Sequence, residues 1–594
     1  MRILRDAILT DLLPYVPHPA QYTGLEHNRR CRDVHTADVT VALAFPDAYP
    51  VGVSHVGTQI LYTLLNATDG VACDRSYCPT PEAERVMRER GVGLFGWESR
   101  AHLGDFDVIG ISLSYEMVFT NMLTMLDLAG VSLHAAERSD DDPIIVVGGT
   151  QADAPEVMAD FTDIVLVGDG EASLPALVEL IRRAKRAGAG REAILLEAAR
   201  TIPEAYVPAL WEPRYHDDGT LASLAPVRDD LPRTIARGHV PLSDSPAITH
   251  PLVPATAGVF DRISLEIMRG CPHGCRFCHA GATRDPLRWR SVDELLDTAQ
   301  QAVDNTGFRE ISLLSLSTSN YPHLEELMAR MNERFAPQHV SIAVPSLRVD
   351  KQLAHLPWQL NRVRKGGMTI AAEVGTDRLR RAVRKTVTND DLLAGVRAAY
   401  AAGWKSVKVY FMAGFPGETD ADLEGIIQLC RAMSWARKDV DGHKGSVTAS
   451  ISWFVPKPHT PLQWAPQADM DYFWHVRTFL LDRTRKSPVT VKCHHIERSV
   501  IEAVIARGDR RLGRVVEAAW RAGARFDGWR EHFDFDLWRQ AFDDVGLDMG
   551  FYARRERPLD ELLPWDRIAA PRSRDALAAE WRQYLAAVGR GGEA

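Results

Sequence analysis

The chain of 594 residues has no apolar run approaching the roughly 18–20 residues that cross a bilayer. Residues 1–14 carry charges where a secretory signal would have an apolar core. These absences predict a soluble, cytoplasmic protein with no membrane partner. Cysteine is scarce, eight in all, and three of the eight crowd into one short stretch, which excludes a disulfide framework and fits a reducing compartment. Positive charge is not in excess. A net charge of −9 and a pI near 6.1 argue against the broad electrostatic footprint of nucleic-acid binding, although a local basic groove is compatible with that average. There is no internal repeat, and the Ala/Arg/Gly-rich residues 182–191 read as a solvated helix end. What remains has ordinary globular composition and the length for two large domains and a smaller one.

The crowded cysteines are Cys271, Cys275 and Cys278, in the run Cys271-Pro272-His273-Gly274-Cys275-Arg276-Phe277-Cys278. Spacings of four and three would also line one helix face. Pro272 between Gly270 and Gly274 disfavours a helix and favours a loop whose N–H groups turn toward sulfur. Zinc is an alternative, since His273 or His279 could complete a Cys3His tetrahedron. An iron–sulfur cube needs four ligands, so three cysteines leave one iron open to an exogenous group. With Phe277 directly before the third cysteine, the run resembles the radical SAM signature. That resemblance implies a [4Fe-4S] cluster whose open iron chelates S-adenosylmethionine and cleaves it reductively to a 5′-deoxyadenosyl radical.

Residues 1–38 read as an ordered arm. From residue 39, apolar runs at 39–45, 108–113, 144–147 and 164–167 alternate with helical stretches at 58–67, 116–128 and 172–187. This alternation predicts a doubly wound parallel sheet over residues 39–197, with ligands at the carboxyl ends of its strands. Those ends carry Ser112, Ser114 and Tyr115, then Gly148 and Gly149, then Gly168, Gly170 and Glu171. Each glycine taken singly also suits a tight turn. The pattern is similar to the cobalamin-binding domain of B12-dependent radical SAM proteins, which implies that these loops approach a corrin. An Asp-x-His-x-x-Gly motif is absent, so a bound cobalt is expected to lack a protein imidazole from that position, or cobalamin binding has been lost. Residues 198–259, rich in Pro, Asp and Arg, read as an extended linker.

Six strand–helix units follow over residues 260–468, with strands expected at 262–268, 310–316, 340–344, 368–372, 406–412 and 446–454. They predict a partial (β/α)6 TIM-type barrel whose chemistry sits at the strand carboxyl ends. The cysteines follow the first strand, and Ser317, Thr318 and Ser319 follow the second, where the resemblance places the amino group of S-adenosylmethionine. Ser346 and Arg348 follow the third. Glu373 ends the fourth, with Arg380, Arg381 and Lys385 beyond it; the carboxylate suits ribose or ammonium and an arginine suits a carboxylate, or the two simply pair. Gly414 and Phe415 follow the fifth, in a loop like the family's adenine-contacting one or a plain Pro-Gly turn. Residues 456–461 follow the sixth as a substrate rim or a sheet terminator. Residues 469–594 read as helical, a satellite core or a cap over the barrel that excludes solvent.

Over its whole length the chain resembles a family of B12-binding-type radical SAM proteins. The shared features are the arm Pro19-x-x-Tyr22-x-Gly24-x-Glu26-x-Asn28, Phe45-Pro46-Asp47, Arg269-Gly270-Cys271, Pro345-Ser346-Leu347-Arg348 and Arg507-Gly508-Asp509-Arg510-Arg511. This implies cluster, S-adenosylmethionine and cobalamin as cofactors, an electron donor such as flavodoxin or ferredoxin, and a radical-SAM-linked partner protein whose fused form this chain lacks. Methyl transfer to unactivated carbon is the favoured expectation. The alternatives are methylthiotransferase-like modification of RNA or protein, and a non-enzymatic iron–sulfur carrier or scaffold. The scattered Cys31, Cys73, Cys78, Cys430 and Cys493 do not predict a further cluster.

Overall fold

A computed structural model describes residues 1–256, 258–344 and 368–590. The amino-terminal sheet has strand order β2-β1-β3-β4-β5-β6, with β1 Val39–Phe45, β2 Val71–Tyr77, β3 Val108–Ser112, β4 Ile144–Gly148, β5 Ile164–Leu166 and β6 Ala205–Tyr206. The first five are parallel, with Val41 opposite Val108 and Val108 opposite Ile144. β1 is buried at every position because helices cover both sheet faces. Helices Val56–Ala67, Phe119–Leu128 and Gly170–Ala187 occupy the stretches expected from periodicity. The chain leaves β1 toward β2 on one side and β3 on the other, which opens a crevice at their carboxyl ends.

Two features depart from the sequence reading. β2 was not expected because its centre is Asp74-Arg75-Ser76, yet all seven of its residues are buried. Arg75 pairs with Glu98 at 2.7 Å and Glu26 at 3.4 Å, while Asp74 accepts from the backbone N–H groups of Arg75, Glu98 and Ser99. Charge compensation therefore replaces apolarity at this edge. The linker is also more ordered than expected: β6 joins the sheet antiparallel to β5, and a hairpin follows from β7 Trp211–Tyr215 and β8 Leu221–Pro226.

The second region is the partial barrel. β9 Ile263–Glu266, β12 Glu310–Leu314 and β13 Ser341–Ala343 form one parallel sheet. β14 Met368–Glu373, β15 Ser406–Ala413, β16 Ser446–Trp453 and β17 Val489–Cys493 form another. A short antiparallel pair, β10 Met268–Arg269 and β11 Arg288–Trp289, frames the cysteine loop. β17 is a seventh parallel strand beyond the six expected, since its polar alternate Val-Thr-Val-Lys-Cys reads weakly from sequence.

The carboxyl-terminal residues are neither one satellite core nor one cap. Helix Met470–Thr484 and β17 belong to the barrel core. Helices Ile496–Ala506, Leu512–Arg521 and Phe535–Val545 share one apolar core with the amino-terminal sheet, including Val504, Val516, Trp520 and Trp538. The Arg507–Arg511 segment serves that junction: Arg510 bonds Glu156 at 3.1 Å and the Tyr206 hydroxyl at 3.0 Å, and Arg507 donates to the Ala553 carbonyl. The last helix, Arg574–Ala587, returns to the barrel and packs Leu577, Trp581 and Leu585 beside Phe415 and Phe454. Among the described residues no helix is long and apolar enough to cross a membrane.

Candidate active site

The cysteine loop is built where backbones crowd. Gly270 has φ +87°, and a Cβ there would stand 2.8 Å from the Arg284 carbonyl oxygen, so the turn out of β10 requires glycine. Cys271, Cys275 and Cys278 are all partly exposed on this loop. Cys278 caps helix His279–Thr283, its Sγ accepting the Gly281 N–H at 3.3 Å. Burial pushes the Cys275 thiol up to about 11 and raises Cys278 as well. A metal would therefore displace protons from these thiols as it binds.

The donor set fits an iron–sulfur cluster better than zinc. The His273 Nε2 lies 2.5 Å from Asn320 Oδ1, and the His279 Nε2 lies 3.2 Å from the buried carboxylate of Asp153. Both imidazoles close enough in sequence to complete a Cys3His tetrahedron are turned to other partners. Three sulfurs with a backbone N–H aimed at one of them is the pattern of a cluster with an open corner.

Side chains the sequence did not single out brace this loop. Arg276 is buried, donating to Glu580 at 2.8 Å, Gln583 at 2.8 Å and the Ala382 carbonyl at 2.8 Å. Glu580 and Gln583 come from the last helix, roughly three hundred positions away, and only the fold brings them here. Burial would raise the Glu580 carboxyl, but Arg276, Arg384 and Arg572 together hold it below its ordinary value.

The strand ends meet the expectations unevenly. Phe277 packs edge-on against Phe415 with ring centroids 5.8 Å apart, and Phe415 packs on Phe454 at 4.7 Å. Gly414 has φ +97° against the Phe473 ring, and its N–H donates to Glu418, which also accepts from the Tyr472 hydroxyl at 2.8 Å. Burial raises the Glu418 carboxyl to about 7. Glu373 lies at a bulge of β14 with φ +66°, a strained conformation that re-aims its carboxylate onto Lys385 at 3.0 Å. Both groups act on the charge of Cys275 and Cys278, so the pair stands beside the cysteine loop.

Three expectations need correction. Arg380 is only 1% exposed, and its guanidinium is spent on Asp377 and on the carbonyls of Ala372 and Val374; it ties β14 to the next helix instead of facing a ligand. Ser317 and Thr318 are buried, with hydroxyls used inside their loop on Asn320 at 2.7 Å and Ser315 at 2.9 Å. Ser319 is buried with them. That loop holds the cysteine loop through Asn320 and His273. Tyr115 points at the carboxyl-terminal region, where its hydroxyl would be 1.5 Å from a Cβ placed on Gly528. Ser346 and Arg348 lie outside the described residues.

The other candidates at the sheet edge converge. Ser112, Ser114, Gly148, Gly149, Gly168, Gly170 and Glu171 all line one cavity of about 740 Å³. The same cavity is lined from the barrel by Glu266, Met268, Ser312 and Leu314, and from the cysteine loop by Gly270 and Ala280. Two of the glycines are required by backbone contacts: Gly149 packs on the Leu113 carbonyl and Gly168 on Gly238. Gly148 is different, its nearest obstacle lying 3.9 Å from a Cβ, so its bareness serves the cavity. Ion pairs hold the two regions together there: Arg269 with Glu171 at 2.7 Å and Arg288 with Asp169 at 2.5 Å, while Arg237 of the connecting segment pairs with Asp153. His55, missed in the sequence, also lines the cavity. Its Nδ1 accepts the Thr58 N–H at 3.2 Å, which leaves the neutral ring's proton on Nε2, and burial lowers its pKa to about 4.

Known proteins match the same two regions. Residues 57–208 match the model described as radical SAM proteins, N-terminal, and residues 265–430 match that of the radical SAM superfamily. The uncharacterized protein MJ0966 of Methanocaldococcus jannaschii is 25% identical over 488 residues, 80% of this chain and 90% of that one. The tRNA-2-methylthio-N(6)-dimethylallyladenosine synthase of Methylobacillus flagellatus is 26% identical over 225 residues, 34% of this chain and 45% of that protein. Among solved structures, the radical S-adenosylmethionine methyltransferase TsrM of Kitasatospora setae, with cobalamin and a [4Fe-4S] cluster bound, aligns at TM-score 0.48. It is 13% identical and covers 72% of this chain and 79% of that chain.

Proposed function

We propose that this chain, which belongs to the radical SAM superfamily, is a cobalamin-dependent radical enzyme that transfers a methyl group to an unactivated carbon. One observation carries the reading: a single cavity joins the carboxyl edge of the parallel sheet to the cysteine loop. A cofactor on that edge would therefore lie beside Gly270 and Ala280, which flank the three cysteines. When bound, the cluster and S-adenosylmethionine supply one-electron radical chemistry, and cobalamin supplies a transferable methyl group.

The chain's own part is to hold, orient and dry the site. Cys271, Cys275 and Cys278 would ligate the cluster. The wall of Phe277, Phe415 and Phe454 excludes water from its flank. The Glu373–Lys385 pair offers a hydrogen-bonding carboxylate and ammonium beside the thiols. At the sheet edge, Ser112, Ser114, Gly148 and Gly170 leave the room and the backbone groups that a large planar cofactor needs. The Nε2 of His55 is a donor as long as Nδ1 caps its helix, so this ring would offer a cofactor in the cavity a hydrogen bond.

Anaerobic reconstitution followed by visible spectroscopy and product analysis tests the proposal. The expected result is about four irons per chain, cobalamin absorption bands and release of 5′-deoxyadenosine under reductant. A colourless, zinc-only protein overturns it. Methylthiolation is the second reading, favoured by the synthase relative. It requires clearly more than about four irons per chain, so iron counting decides between the two readings.

A further inference from the structure

Among the described residues, the inward face of β14–β17 carries exposed side chains. In a closed barrel of this type, layers of bulky branched side chains fill the interior. Here Val407, Val409, Phe411, Val447 and Ile451 all belong to the core under the outer helices, which leaves the alternate residues facing inward. One inward rung runs Thr369–Lys408–Thr448–Thr490 across the four strands. The next rung toward the strand carboxyl ends runs Ala371–Tyr410–Ser450–Lys492. Lys408, Tyr410 and Lys492 are exposed inside this face, Tyr410 to 40%.

Charge makes the face selective. Around the barrel mouth Lys385 is paired with Glu373, and Lys457 with Glu116 and Glu502. Among the described residues Lys408 and Lys492 form no ion pair; Lys408 donates instead to the Tyr410 hydroxyl at 3.0 Å. Lys492 stands two strands from Tyr410 on the same rung, about 10 Å at the backbone, and about 12 Å from Lys408, a span that two flexible lysines close around one small anion. His494 follows β17; its pKa is lowered by burial and by the positive charges of Arg498 and Lys408, against the opposing charge of Glu502. Two lysines without an ion pair among the described residues thus face this part of the interior although the chain as a whole is acidic.

We propose that the barrel interior holds its substrate by a phosphate or carboxylate group between Lys408 and Lys492, hydrogen-bonded by the Tyr410 hydroxyl. The substrate is thus a small anionic organic molecule with its reacting carbon toward the cysteine loop. The orientation rests on the proposed function; the anion site itself does not. Both lysines are solvent-exposed, so replacing them spares the core.

The test is calorimetric titration of the anaerobically reconstituted full chain, without reductant, using inorganic pyrophosphate as the phosphate probe and tricarballylate as the carboxylate probe. At least one probe is expected to bind, at least tenfold more weakly to K408M/K492M, severalfold more weakly to Y410F, and unchanged to K444M, which removes a lysine stacked on Trp435 on the outer surface. Binding of pyrophosphate alone assigns a phosphate, and of tricarballylate alone a carboxylate. Equal affinity in wild type and K408M/K492M, or binding of neither probe by wild type, overturns the site. A chain that passes this test yet releases no 5′-deoxyadenosine under reductant retains the site and loses the proposed function.

Discussion

Replacing Glu580 by Gln should loosen the cysteine loop without disturbing the barrel. The Arg276 and Glu580 side chains are 8% and 17% exposed, so their contact is largely shielded from water. Removing one partner of a fully buried pair costs about 3–5 kcal/mol. Arg276 keeps Gln583 and the Ala382 carbonyl, which limits the loss to one charge-assisted hydrogen bond, about 2 kcal/mol. Glu580 also meets Arg384, but that side chain is 48% exposed and adds under about 1 kcal/mol. A multidomain chain has no single unfolding free energy, so the appropriate assay is local hydrogen exchange over residues 271–284. About 2 kcal/mol corresponds to roughly 30-fold faster exchange there, with the peptides of β15 and β16 unchanged. Arg384→Ala is the internal control and should give less than about fivefold. Because the Glu580 carboxyl is held below its ordinary value, its contribution is complete above the unfolded Glu value and lost only as pH falls through the depressed one. The effect should therefore be the same at pH 7 and pH 8. Unchanged protection in Glu580→Gln, or equal effects from the two variants, would refute the brace.

The remaining predictions probe the other parts of the site. Gly148→Leu adds a side chain where a Cβ has 3.9 Å of clearance, so it should abolish cobalamin absorption bands while iron content and 5′-deoxyadenosine release persist; retained bands would show that the cavity is not the cofactor's. Glu418, raised to about 7 from 4.5, gives stability to its loop that is full below the unfolded value and lost as pH rises through the folded one. Relative to Glu418→Gln, exchange protection of residues 414–423 should fall by about 2 kcal/mol between pH 5.5 and pH 8, and a pH-independent difference would contradict the buried acid. Phe415→Ala should cost about 3–5 kcal/mol in the core it shares with Phe454 and Trp581, read as lowered protection of the last helix, while a change under about 1 kcal/mol would mean that the aromatic wall is not packed.

Much of the architecture was legible because the strands obey simple apolar patterns. β1, β3, β4 and β5 fall within a residue or two of the apolar runs, and their ends supplied the candidates that meet in the cavity. The two missed strands share one physical cause. β2 and β17 carry charged residues at positions whose compensation is invisible locally: Arg75 needs Glu26 and Glu98, and Lys492 faces an open interior. Arg380 and the serine loop failed differently, since residue type and strand-end position were right but the polar atoms were already satisfied by side chains and carbonyls of their own segment. A polar residue at a strand end is a ligand candidate only if its hydrogen-bonding capacity is unspent, and sequence does not reveal that.

The division of the carboxyl-terminal residues follows from what each of the two earlier regions leaves uncovered. The amino-terminal sheet reaches a continuous core only when Val504, Val516, Trp520 and Trp538 are added, so helices that are distant in sequence complete it. The barrel mouth is left with Phe415, Phe454 and Val374, which the last helix covers with Leu577, Trp581 and Leu585, its Tyr584 hydroxyl donating to the Pro416 carbonyl at 2.7 Å. The residues that close the apolar surface also deliver Glu580 and Gln583 to Arg276. The cysteine loop therefore reaches its final bracing only after the carboxyl-terminal helix has docked, and its order is linked to the completeness of the whole chain. A metal loaded before that docking would meet thiols whose loop is not yet held, whereas afterwards the loop is braced through Arg276 and its flanking Gly270 and Ala280 line the cavity that reaches the sheet.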